Sequence, residues 1–183
     1  VYLWYYLGNG EEKNFDNFIK YSEIALTKLE DYLDDNPSDR LALLLTGSTY
    51  GYRAIAFGKA NKYLNMIWAS QKSNSFLERT IDLYPDSYDA YLGLGLFKFA
   101  LSQVPSSFKW ALNMIGFDAN RDKGLLYLET AAETGFRSKV AAEYYLSHIY
   151  ADFIFDFDKA SKLLNGLNQR FPENILFQYS AAV

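Results

Sequence analysis

The stretch 84-YPDSYDAYLGLGLFKF-99 decides how this chain is read. Two glycines, Gly93 and Gly95, stand one residue apart in an aromatic segment with helical spacing. A phosphate-cradling loop would need a strand before the glycines, a third glycine at the proper interval and a helix after them. Here a proline-terminated helix precedes them and no third glycine follows at that spacing. Gly95 instead fits a point where two helices cross closely and a side chain would hold them apart. Gly93 is tolerated in a buried helix at a cost of about 1 kcal/mol relative to Ala.

The same punctuation recurs on either side. Apolar spacing from Phe15 through Ser22, Ala25, Leu26, Leu29 and Tyr32 to Leu33 traces one face of a helix over about 14–34. Asn36-Pro37 ends it, because the residue before proline is driven out of the α region. Ser38 or Asp39 then caps a next helix near 39–57. "DLYPDSYDAY" at 82–91 and "QRFPENILFQY" at 169–179 repeat this order, and "ETGFRSKVAAEYY" at 133–145 does so with Gly135 as helix cap in place of proline. The breaks at about 37, 85, 136 and 172 lie 48, 51 and 36 residues apart, which marks a repeat array.

On a 34-residue helix-turn-helix repeat, with the break residue at position 32, positions 4, 7, 8 and 11 of the following helix fall on Leu43, Thr46, Gly47 and Tyr50, and on Tyr91, Leu94, Gly95 and Lys98. Positions 20, 24 and 27 of the second helix fall on Ala25, Leu29 and Tyr32, on Gly124, Leu128 and Ala131, and on Ala160, Leu164 and Leu167. With "YDAYLGLG", "LLTGSTY" and "FDKASKLLNGLNQRFPEN", the chain resembles the tetratricopeptide-repeat (TPR) family over most of its length. Even "WYYLG" at 4–8 fits the family's opening, although Gly8-Asn9-Gly10 turns the chain too early for a full helix. The resemblance implies an all-α, right-handed superhelix of about seven to nine helices, taken as a single domain over 1–183. It departs from the family in two insertions between first and second helices, near 58–72 and 104–121. The run at 91–135, from "YLGLGLFKF" to "LETAAETG", resembles a TPR variant found in uncharacterised bacterial proteins and, more distantly, in a eukaryotic family linked to mitochondrial outer membranes and inclusion-body clearance.

Bulk composition narrows the function. With 18 basic against 22 acidic side chains and no basic cluster, the chain is not built to neutralise a run of phosphates, so nucleic acid is not expected as a partner. It has no cysteine, hence no disulfide, thiol nucleophile or thiolate-bound zinc. The longest apolar run, "LALLLTGSTYGY" at 41–52, falls short of the roughly 18 residues a membrane helix needs. The start at Val1 reads as a trimmed fragment, and with the bacterial resemblance it points to an exported, periplasmic or envelope form, the cytoplasm being the alternative.

Candidate chemistry is sparse. The single histidine, His148, has Asp152 one turn on and Glu143 behind, which sketches a base with an orienting acid, and with Asp152 and Tyr144 it could line a small-ligand pocket. No second member of a catalytic constellation accompanies it, so a surface or groove residue is expected, with no catalytic residue and no cofactor. The acidic sets Asp31/Asp34/Asp35, Asp82/Asp86/Asp89 and Asp152/Asp156/Asp158 lack a calcium-loop pattern and sit at helix ends, where capping is expected rather than metal binding.

The TPR resemblance implies that first-helix positions line a concave groove: Leu41, Leu44, Ser48 and Tyr52; Asp89, Leu92, Leu96 and Phe99; Tyr144, His148 and Asp152. The Lys and Asn with which chaperone-type repeats clamp a carboxylate are replaced by Leu44/Ser48, Leu92/Leu96 and Tyr144/His148. Such a groove suits an apolar peptide or helix of a protein partner, or self-association into a homo-oligomer. In the second insert, Phe108, Trp110, Met114 and Ile115 would each forgo roughly 1.5–3 kcal/mol if left in water. The expectation is therefore a helix over 106–116, laid against the first helix of its repeat or over the mouth of the groove near Leu96 and Phe99, where it would shape the binding surface.

Overall fold

A computed structural model describes residues 1–105, 107, 114, 116–117 and 119–182. Among the described residues it contains nine α-helices and no strand: α1 (Tyr2–Asn9), α2 (Glu12–Asp35), α3 (Arg40–Lys59), α4 (Tyr63–Leu83), α5 (Ala90–Ser102), α6 (Arg121–Thr134), α7 (Lys139–Ile149), α8 (Phe157–Arg170) and α9 (Ile175–Ala182). A π-helical turn, Tyr150–Ile154, extends α7. The chain forms two compact units, Val1–Gly93 and Leu94–Val183, divided within α5.

Local chemistry sets the helix ends where the sequence places them. The Asp39 carboxylate accepts the Ala42 N–H at 2.8 Å, Asn120 caps α6 through the Lys123 N–H at 2.9 Å, and Asp156 caps α8 through the Lys159 N–H at 3.1 Å. In the first unit Arg40 donates to the Asp86 carboxylate at 3.0 Å and to the Asp86 carbonyl at 2.8 Å, while the Tyr84 hydroxyl donates to the Ser38 carbonyl at 2.6 Å. These bonds lay the break at Pro37 beside the break at Pro85, as stacking of successive repeats requires.

The repeat register recurs as packing. Position 8 is Gly47 and Gly95, and position 24 is Leu77, Leu128 and Leu164; all five are buried. In α5 and α6 the backbones themselves meet: a Cβ on Gly124 would lie 2.8 Å from the Phe99 amide nitrogen and 3.1 Å from the Gly95 carbonyl oxygen. Gly95 is thus a helix-crossing residue, as its place in the repeat implies. Gly93 also has a neighbour, since its Cβ would lie 2.5 Å from Leu77 Cδ1.

Three expectations change. Residues 63–72 form the first turns of α4, and three residues, 60–62, join it to α3, so the first insertion lengthens both helices instead of adding a loop. In α2 the buried side chains are Phe15, Ser22, Leu26 and Leu33, whereas Ala25 and Tyr32 are exposed. Residues adjacent in a helix differ by about 100° in direction, so a stripe centred on Leu26 and Leu33 turns Ala25 and Tyr32 outward. Met114 is 77% exposed, and Phe117 takes the buried place, its ring edge-on to Phe97 at 4.8 Å. The remaining residues of the expected 106–116 helix, with Phe108 and Trp110, lie outside the described residues apart from Ser107 and Gly116.

Candidate interaction surfaces

In the first unit, α3 carries a long solvent-facing stripe. Leu41, Leu45, Tyr52 and Ile55 are all more than 40% exposed, with half-buried Ser48 between them. Their spacing places all five on one face, while Leu43, Thr46, Gly47, Tyr50 and Phe57 are buried on the other. Leu44 is buried too, leaving Leu45 to continue the stripe. Trp4 of α1, itself exposed, meets the Tyr52 ring edge-on at 6.4 Å and broadens the apolar surface. Asp89 and Leu92 are half-buried at the start of α5.

In the second unit Leu96 is half-buried, whereas Phe99 is 4% exposed with its ring edge-on to Phe153 at 5.5 Å, so it serves as core. Tyr144, His148 and Asp152 do come together. The His148 ring lies 4.6 Å from that of Tyr144, and its Nδ1 stands 3.6 Å from an Asp152 carboxylate oxygen, too long for a hydrogen bond. Nε2, the atom a general base would offer to a substrate, is buried without a hydrogen-bond partner among the described residues. A cleft of about 630 Å³ opens in this unit, lined by Glu129, Glu143, Tyr150, Lys162 and Arg170 among others; His148 does not line it. No group of three or more His, Asp or Glu among the described residues is arranged to hold a metal ion. No helix among them is long and apolar enough to cross a membrane.

Each unit contains a buried tyrosine bonded to a glutamate, Tyr50 on α3 and Tyr150 in the π-helical turn that extends α7. The Tyr50 hydroxyl donates to Glu30 at 2.8 Å, and the Tyr150 hydroxyl donates to Glu129 at 2.6 Å. Burial is the main cause that pushes both hydroxyl pKa values above the usual tyrosine range, and the accepting carboxylate adds to it. The fold therefore holds both phenols neutral. An unfolded tyrosine ionises near pH 10, so this stabilisation is fully present below that pH and is lost as pH rises beyond it. Urea midpoints measured from pH 9 upward are expected to fall more steeply for the wild type than for Tyr50→Phe/Tyr150→Phe. At pH 7 each single Phe variant costs about 1.5 kcal/mol, because its glutamate loses a buried donor.

Stacked pairs of helices with small residues at their crossings and first-helix faces turned to solvent define a helical-repeat protein of the tetratricopeptide type. The chain belongs to the Iml2/Tetratricopeptide repeat protein 39 family, whose profile matches residues 53–182. No solved structure matches it. Repeats of this class serve generally as protein–protein interaction scaffolds, since stacking produces extended surfaces rather than closed pockets.

Proposed function

We propose that this protein is a non-catalytic scaffold that seats an apolar or amphipathic helix of a protein partner on its first-helix faces. The observation that carries this reading is the α3 stripe: Leu41, Leu45, Tyr52 and Ile55 are exposed at the spacing a helix presents to another helix. A solvated helix face needs no such row of large apolar groups, and a face so built is an interaction surface. The burial of His148 Nε2 supports the non-catalytic side of the reading, because a base must reach its substrate proton.

The test is a paired substitution, Leu45→Glu with Tyr52→Ser, in the full chain. Both side chains are exposed, so the melting temperature stays within about 3 °C of the wild type. Capture of the partner identified with the wild-type protein falls by roughly tenfold or more, as expected when central apolar anchors are removed. Undiminished capture would overturn the reading.

A further inference from the structure

We propose that Phe155 and Phe157, at the turn between the π-helical turn and α8, form a preset aromatic knob that docks a basic amphipathic segment of a partner protein. Phe155 has φ 62° and ψ 32°, in the left-handed region. It closes the π-helical turn, and the next residue, Asp156, donates its backbone N–H to the Tyr150 carbonyl at 2.9 Å. Glycine or asparagine suits such a closing position, and a bulky side chain there is strained. Internal packing offers no return for that strain. The Phe155 side chain is 69% exposed, and the ring beside it, Phe157 at 6.4 Å, is 65% exposed. Strain held at an exposed aromatic pair points to a use outside the chain.

The turn is tied down on both sides. Phe153 anchors the turn on buried Phe99, and the Asp156 carboxylate holds the first turn of α8. A turn whose backbone is tied down loses little backbone freedom on binding. The rim decides the partner's charge: Asp152, Asp156 and Asp158 flank the rings, with Asp152 and Asp158 exposed. Lys159 lies beside Asp156, its ammonium 3.7 Å from that carboxylate and 4.9 Å from the Tyr150 ring centre, which leaves Asp152 and Asp158 to set the sign of the rim. A second copy docked by two-fold symmetry would set this acidic rim against itself, whereas a Lys- or Arg-bearing apolar segment complements both rings and rim. The knob lies in the other unit from the α3 stripe and stands or falls separately from it.

The probe is a designed Leu/Lys amphipathic helical peptide about five turns long, with a Leu/Glu peptide of the same pattern as control. Measurements are made in a Leu45→Ser/Tyr52→Ser background, which removes the central anchors of the α3 stripe. Phe155→Gly is expected to act with opposite signs on two readouts. The melting temperature rises by about 2–4 °C as the strain is relieved, while affinity for the Leu/Lys peptide falls by roughly tenfold or more. Phe155→Asn repeats both effects, and Phe155→Leu, which keeps an apolar knob, retains binding within about threefold. Unchanged affinity in Phe155→Gly, a lowered melting temperature, or equal binding of the Leu/Glu peptide would each overturn the proposal. So would Phe155-dependent dimerisation in sedimentation, which would make a second copy the occupant.

Discussion

Gly124→Val is expected to cost about 4 kcal/mol, among the largest effects of any single substitution in this chain. The reason is that the obstacles are backbone atoms. A first side-chain carbon at 124 would lie 2.8 Å from the Phe99 amide nitrogen, 3.1 Å from the Gly95 carbonyl oxygen and 3.2 Å from Phe99 Cα. None of these can rotate aside, so α5 and α6 must separate and their shared contacts thin out along the crossing. Gly124→Ala gains about 1 kcal/mol of helix propensity but meets the same atoms, so it also destabilises. Gly166 in α8 is the control, for a Cβ there meets nothing within 4 Å. Gly166→Ala should therefore stabilise by up to about 1 kcal/mol. Urea unfolding followed by circular dichroism reads both changes, and equal signs at 124 and 166 would refute this account of the crossing.

Leu77→Ala is the second large loss, expected at about 3–5 kcal/mol. Leu77 is 2% exposed and fills the space left by two glycines, Gly47 of α3 and Gly93 of α5. The glycines and the leucine define one another. Among the described residues, a Cβ on Gly93 would stand 2.5 Å from Leu77 Cδ1 and 4.0 Å from Leu77 Cγ. Gly93→Ala in the wild type requires the Leu77 methyl to shift, which offsets the gain in helix propensity. In the Leu77→Ala background the obstructing methyl is gone, and the same substitution becomes stabilising through cavity filling and helix propensity. The cycle should give a coupling energy of about 1–3 kcal/mol, and additivity within about 0.5 kcal/mol would show that the two sites do not share a cavity.

Much of this architecture was legible in the chain. Pro37, Pro85 and Pro172 mark helix ends because proline restricts the residue before it, and Asp39 and Asp156 announce the helices that follow. Gly95 with Leu128 was readable as a crossing, since a small residue recurring opposite a large one at fixed register has few other uses. Less legible was the rotation of α2. Ala25 and Tyr32 fit the repeat pattern as well as Leu26 and Leu33 do, and only the packing between helices selects which of two adjacent stripes turns inward. The first insertion was also ambiguous, for residues 63–72 carry no proline or glycine to separate a loop from extra helical turns.

The candidate surfaces divide the same way. The α3 stripe follows from periodicity, although Leu44 and Leu45 are equivalent in composition and only burial tells them apart. Phe99 shares its sequence pattern with exposed groove positions, yet Phe153, 54 residues later, covers it. Phe155 carries no sequence signal at all, because nothing in "FIFDFD" requires a left-handed residue. That conformation arises where the π-helical turn must end and α8 begin. By itself the sequence determined the all-helical repeat, its breaks and its crossing residues, since proline geometry, capping and 3.6-residue periodicity act within a few turns of chain. Only the tertiary structure decided which rings are covered and which stand in water, because burial depends on neighbours that the chain brings together from far apart.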